Sequence, residues 1–256
     1  MVLAFPWGKE MNGAVVTCYP EVPISQFNHV ADIEVCEDEE KDLLDVATKY
    51  FVSKGSSDIR FRTTPLTRPR SLGSFLRDHG FAHSLEDEES AMVFKGKHPE
   101  DMLRPGVKVK EVSESEVDLY SKLMLTIFEM PFDWKKGVDR FILEIMRKGA
   151  RCYVAYVGKK PVGISGLLSF MKTGEIFNVG TLKTHRRLGI GTALTAHAVR
   201  DSIKEGNILH ILYTEKKGNP ERLYRKVGFR TDHTVVWFVK HLNRLPHAVR
   251  FGVEIT

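Results

Sequence analysis

Residues 186–191 read Arg-Arg-Leu-Gly-Ile-Gly. They follow an apolar, strand-like run, Glu175-Ile-Phe-Asn-Val-Gly-Thr181, and lead into a helical pattern from Thr192 to Arg200. A strand feeding a glycine-rich turn that opens a helix commits this stretch to an α/β arrangement. It is also an anion-binding device, because glycines let backbone N–H groups turn inward without a Cβ clash and the helix start adds partial positive charge. Arg186 and Arg187 place full charges beside it, so the expected ligand is a phosphate or pyrophosphate. A Walker loop would need a Gly-Lys-Ser/Thr ending, which is absent. A dinucleotide fingerprint would need a third glycine, where this chain has Ala193 and Leu194.

The surrounding half reads as strands and helices in alternation. Val107–Val112 alternates as a strand. Glu114–Phe128 is helical, with Ser113 as cap and Glu116 at the capping-box position. Trp134–Lys148 is a second helix ended by Gly149. Cys152–Val157 and Val162–Phe170 form a hairpin about Gly158-Lys-Lys-Pro161, and Glu175–Leu182 is the next strand. The loop helix stops near Gly206, and Ile208–Tyr213 is a strand. Pro220–Val227 is a short helix with Asn219 as cap, and Thr234–Lys240 is a last strand.

The spacing Arg-x-x-Gly-x-Gly after a strand resembles the coenzyme A pyrophosphate loop of the GNAT (Gcn5-related N-acetyltransferase) superfamily. Leu223-Tyr224-Arg-Lys-Val-Gly228-Phe229, roughly 35 residues after the loop, resembles that family's Leu-Tyr-x-x-x-Gly-Phe block. The resemblance covers about residues 105–240. It implies an α/β (α+β) GNAT fold, a mixed, mostly antiparallel sheet flanked by helices, and an N-acetyltransferase that uses acetyl-CoA as co-substrate and a primary amine as acceptor. It also implies site residues. The N–H groups of Arg187, Leu188, Gly189, Ile190, Gly191 and Thr192 would grip the pyrophosphate, with the charge of Arg186 beside them. Those of Val179, Gly180 and Thr181 would hold the pantetheine arm and face the oxygen on which charge grows. Tyr224 would protonate the departing thiolate. Where many members have an asparagine that touches the coenzyme, this chain has Lys217; Asn219 reads as the helix cap with a coenzyme contact as an extra role. Thr181 and Lys183 also replace the family's usual Val and Pro.

An ammonium acceptor must lose a proton before it can attack a thioester. Glu175 is one candidate base. Strand alternation puts it on one face with Phe177, Val179 and Thr181, whereas a solvated carboxylate at a hairpin tip is the plain alternative. Glu129 and Asp133, in Phe128-Glu-Met-Pro-Phe-Asp-Trp134 between the first two helices, are the rivals.

The first half echoes the second. Leu76-Arg-Asp-His-Gly80-Phe81 stands where Tyr224 to Phe229 stands, after a strand-like run (58–62) and an amphipathic helix (42–54). The preceding stretch, Cys36-Glu-Asp-Glu-Glu-Lys-Asp42, has five acids and no glycine and would repel phosphates. Residues 1–98 are therefore read as a degenerate GNAT-like domain without coenzyme, walling the acceptor side, and residues 99–256 as the N-acetyltransferase domain, joined near Gly96-Lys-His-Pro-Glu100.

Charge supports this division. The net charge of +5 combines −6 over residues 1–100 with +11 over residues 101–256, so only the second half suits a polyanion. The basic residues form no single stripe and no nucleic-acid-binding signature appears, so nucleic acid is not the expected partner. No apolar run is long enough to span a bilayer, and no signal segment is read at the start. Cys18, Cys36 and Cys152 have no metal-type spacing, so no metal is expected, and three unpaired thiols fit a reducing, cytoplasmic setting. In the tail, Val249, Phe251, Val253 and Ile255 alternate as one strand face would, which could add a strand to a neighbouring copy in a homodimer. Two function classes stay open: the acetyl-CoA-dependent N-acetyltransferase, and a non-catalytic acyl-CoA-binding sensor or scaffold.

Overall fold

The computed structural model describes residues 8–83, 88–102 and 104–242. The alternating run at 249–255 lies outside them. The first half opens with three antiparallel strands, β1 (Gly8–Met11), β2 (Ala14–Cys18) and β3 (Asn28–Ala31). Asn12 and Gly13 join the first two with φ of 42° and 67°, the positive pair that a two-residue hairpin turn requires. Helix α1 (Glu40–Ser53), strand β4 (Asp58–Thr63), helix α2 (Leu72–Asp78) and strand β5 (Glu89–Phe94) follow.

The second half runs β6 (Val107–Glu111), α3 (Val117–Ile127), α4 (Lys135–Arg147), β7 (Arg151–Val157), β8 (Lys160–Phe170), β9 (Thr173–Thr181), α5 (Ile190–Lys204), β10 (Leu209–Glu215), α6 (Asn219–Val227) and β11 (Phe229–His241). The Ser113–Glu116 capping box forms as expected, the Ser113 N–H donating to the Glu116 carboxylate at 3.0 Å. Helix α4 buries Val138, Phe141, Ile142 and Ile145, a stripe at three- and four-residue spacing. Phe141 stacks on Phe27 of the first half at 3.8 Å between ring centroids. Each such fully buried side chain contributes about 1.5–3 kcal/mol.

All eleven strands form one mixed sheet, in the order β1-β2-β3-β4-β11-β5-β10-β9-β8-β7-β6. Two neighbouring pairs are parallel, β3 with β4 and β9 with β10, and both are brief. β9 and β10 are paired only from Thr173–Glu175 to Leu209–Ile211, after which no pairing joins them. The same unit, three antiparallel strands, a helix, a parallel strand and a short helix, thus occurs in both halves. Helices α3 and α4 cover one part of the sheet, with Tyr19, Val22 and Phe27 in the same core; α5 and α6 share a second core; α1 and α2 share a third with the first strands and Phe238.

The halves are interlocked. β5, from the first half, lies between β10 and β11 of the second. In return, β11 pairs with β5 over Phe229–Val235, then with β4 over Val236–His241. Ala82 bridges Val239 on the other side of that extension. The last strand therefore begins at Phe229, not at Thr234 as expected, because its early part has a partner that local sequence does not reveal. The joint near residues 96–100 is a boundary along the chain and not in the sheet.

Candidate active site

β9 carries the site. Its register against β8 runs Leu168–Glu175, Gly166–Phe177, then Ile164–Gly180 and Gly163–Thr181, so one residue is in excess between Phe177 and Gly180. Asn178, with φ of 50°, absorbs it. The bulge corrects the expected alternation. Glu175, Phe177 and Gly180 sit opposite β8 residues two apart and share a face, while Thr181 falls on the other one. That first face is closely covered: a Cβ on Gly166 would meet the Phe177 ring at 2.3 Å, and one on Gly180 would meet Ile127 at 2.4 Å. Glycine is needed at Gly166 because the ring on the paired strand covers it, and at Gly180 because helix α3 approaches the strand too closely for a side chain.

Beyond the short pairing of β9 with β10 there are two hollows. The first is a cleft lined by Val179, Gly180, Thr181, Arg186, Arg187, Gly189, Ile190, Gly191, Thr192 and Asn219. Leu188 is not part of that lining and is exposed. Its place is taken by residues that the motif does not contain: Arg104, Arg222, Lys226 and His185 add to the basic wall. Gly189 has φ of 77° and immediately precedes α5, whose first-turn N–H groups have no partner within the helix. A Cβ on Gly191 would meet Leu223 at 2.9 Å, which shows how tightly α5 and α6 pack. Asn219 is the first residue of α6 and not its cap. Gly218 holds the cap position without a side-chain bond, and the Glu221 carboxylate instead accepts the Lys217 N–H at 2.7 Å. That frees the Asn219 side chain from capping.

The second hollow is a cavity of about 470 Å³. Its floor is a row across five neighbouring strands: Arg62 on β4, Trp237 on β11, Glu89 on β5, Tyr213 on β10 and Glu175 on β9. Glu175 is thus within the sheet and not at a solvated hairpin tip; the turn lies at Met171 and Lys172. Burial raises its carboxyl above the ordinary range, and the Arg62 charge opposes that rise. Glu89 is raised in the same way. His29, also in the lining, is driven down to about 3 by burial and by Arg62, and its Nδ1 lies 2.8 Å from the Ser25 carbonyl.

Cleft and cavity meet. Phe128, Val179, Glu215, Pro220 and Tyr224 line both. Tyr224 is buried in the α6 core, its ring 6.2 Å from that of Phe229, and burial holds its phenol well above the usual value near 10. The rival bases are not brought to this place. Glu129 is exposed and paired with Lys183 at 2.7 Å, and neither it nor Asp133 lines either hollow. Their segment does wall the cavity, through Phe128 and Met130. Arg62, Glu89 and Tyr213 carried no signal as site residues in the sequence, because the interlocked strands alone bring them beside Glu175. Among the described residues no group of three or more His, Cys, Asp or Glu side chains could hold a metal, and no helix is long and apolar enough to cross a membrane.

A splayed strand pair, a bulge at its opening and a glycine loop at a helix start together define an acyltransferase fold of the GNAT type. Residues 148–231 match the family model described as acetyltransferase (GNAT) domain. That segment, about a third of the chain, is therefore similar to a GNAT domain. It is 24% identical over 147 residues to the probable N-acetyltransferase san of Drosophila melanogaster, covering 55% of this chain and 77% of that one. A GCN5-related N-acetyltransferase from Kribbella flavida shares the fold with a TM-score of 0.68 at 17% identity, covering 93% of this chain and 91% of that chain. A tandem GNAT protein from the clavulanic acid biosynthesis pathway does so with a TM-score of 0.60 at 12% identity, covering 78% and 69%.

Proposed function

We propose that the protein is an acetyl-CoA-dependent N-acetyltransferase acting on a primary amine by direct attack. The observation that carries this reading is the junction of the two hollows at Tyr224 and Val179, where a basic cleft suited to a polyanionic coenzyme opens onto a carboxyl-bearing cavity suited to an amine. The loop N–H groups from Arg187 to Thr192, with Arg186, Arg104 and Arg222, would hold the pyrophosphate and phosphate groups. The β9 backbone from Val179 to Thr181 would hold the pantetheine arm.

In the transfer, the acceptor ammonium loses a proton to the Glu175 carboxylate, whose raised pKa makes it a stronger base than an exposed glutamate. The amine nitrogen then bonds to the thioester carbonyl carbon. The carbonyl oxygen gains negative charge and is met by N–H donors at the bulged stretch of β9. The carbon–sulfur bond breaks, the sulfur keeps the electron pair, and the Tyr224 hydroxyl, still protonated at neutral pH, supplies its proton, while the extra proton left on the attacking nitrogen passes back to the Tyr224 oxygen. The products are an amide and free coenzyme A. In this reading the first half, residues 1–98, is a degenerate copy that binds no coenzyme and serves as cavity wall.

The test is release of free thiol from acetyl-CoA with a panel of amines, alongside calorimetric binding of the coenzyme. Thiol release that depends on an amine supports the enzyme. Coenzyme binding without release from any amine would make the chain a non-catalytic acyl-CoA-binding module. No coenzyme binding would remove both.

A further inference from the structure

Arg62 is the unusual member of the cavity floor. It belongs to the first half, on β4, and its residue is only 9% exposed. Its guanidinium stacks on the Tyr213 ring at 4.1 Å to the centroid and stands 5.9 Å from the Trp237 ring. Among the described residues no carboxylate lies within ion-pair distance of it. Glu89 and Glu175 act on it only from farther away. Neighbouring Arg60, by contrast, is paired with Asp58 at 3.1 Å. A buried guanidinium costs several kcal/mol of desolvation unless a matched anion completes it. Its planar fork takes a carboxylate through two parallel N–H bonds. Stacking on the Tyr213 face restricts the orientation of that fork.

The floor therefore has two chemically different ends. Glu175, on the strand that also forms the coenzyme cleft, suits an amine. Arg62 is rooted on β4, with three strands of the sheet between it and β9, but its guanidinium reaches over the Tyr213 ring on β10, the strand next to β9, and suits an anion. Glu89 lies between them on the floor, and Phe27, Met124, Phe128 and Met130 give the cavity an apolar side. Resting on the acyltransferase reading, we propose that the acceptor is a small amino acid with an uncharged side chain, its amine at Glu175 and its carboxylate on Arg62. A polyamine or an aminoglycoside would bring a second cation against the buried guanidinium, where like charges cost far more than in water. A protein N-terminus or lysine would bring no free carboxylate.

The experiment measures thiol release from acetyl-CoA by the parent protein with glycine, leucine and phenylalanine. Each is paired with its decarboxylated amine: methylamine, 3-methylbutylamine and phenethylamine. At least one amino acid should exceed its own amine by roughly 10²-fold or more in kcat/KM, the scale expected for a buried charged pair. Arg62→Gln should remove that preference by raising KM for the amino acid far more than for the decarboxylated amine, and Arg62→Lys should restore part of it.

If Arg62 only offsets the charge of Glu89 and Glu175, Arg62→Gln would instead slow every acceptor alike and displace the pH profile. That result, or a parent protein that prefers the decarboxylated amines, overturns the proposal and leaves the acyltransferase standing. Should no amine release thiol, the acyltransferase reading fails. Calorimetry of the same amino acids on the coenzyme A complex then decides the Arg62 site: binding lost in Arg62→Gln supports it, and no binding by the parent refutes it. Because the parent series uses no substitution, a misfolded variant does not weaken the test.

Discussion

Replacing Gly189 with valine tests the coenzyme loop where geometry is least forgiving. Its φ of 77° is in the left-handed region, which costs a β-branched residue about 1–3 kcal/mol. A Cβ there would also lie 2.8 Å from the Arg104 Nε, so that side chain must shift within the cleft wall. Relief of either conflict turns the loop N–H groups away from the bound phosphate. Hydrogen bonds to a charged group contribute about 1.5–3 kcal/mol each, so losing two predicts a fall in coenzyme affinity of roughly 10²–10⁴-fold. The control is Gly206, just past the other end of the same helix, with φ of 79° and nothing within 4 Å of a Cβ. Gly206→Val should lower the melting temperature by a similar few degrees and leave affinity unchanged. Calorimetry with coenzyme A and a thermal melt on both variants separate strain from binding. Unaltered affinity in Gly189→Val, or an equal loss in Gly206→Val, would refute the assignment of this loop.

Glu175→Gln should slow turnover near neutral pH and recover much of it at alkaline pH, where the acceptor is already unprotonated; a loss independent of pH would show that the carboxyl is not the base. Because burial raises the folded-state pKa of Glu175, its ionised form is disfavoured in the folded protein, so stability is lost as pH rises through that pKa. The glutamine variant should gain stability relative to the parent over the same interval of a pH series of melts. Tyr224→Phe should cut turnover by roughly 10²–10⁴-fold with coenzyme affinity nearly unchanged, and by less with a thioester whose thiol is more acidic; an equal loss with both thioesters would deny Tyr224 the acid role. Residues 99–256 produced alone would lack β5 and leave β10 and β11 unpaired on facing edges, so circular dichroism and melting should show no cooperative native fold. A stable, coenzyme-binding fragment would contradict the interlocked sheet as the basis of stability.

Much of the coenzyme side was written locally. The loop, the Ser113 capping box, the α4 stripe and the Tyr224 block each depend on residues a few positions apart, whose spacing is set by helix and strand geometry. The corrections share one cause, which is partners distant in sequence. Thr181 left the face of Glu175 because Asn178 takes an extra place against β8. Asn219 lost its expected cap role when the Glu221 carboxylate took the Lys217 N–H and Gly218 took the cap position. β11 proved longer because β5 and β4 pair with its two parts in turn.

By itself, then, the sequence determined where a glycine-rich turn opens a helix, which half carries the positive charge, and that one supersecondary unit occurs twice. The tertiary structure alone decided that the two copies trade strands and that Glu129 and Asp133 line neither hollow. It alone brought Arg62 and Glu89 to one cavity floor with Glu175. The physical reason is that periodicity encodes which face of an element is buried, but not which other strand will pair along its edge. The cavity is made of such edge pairings.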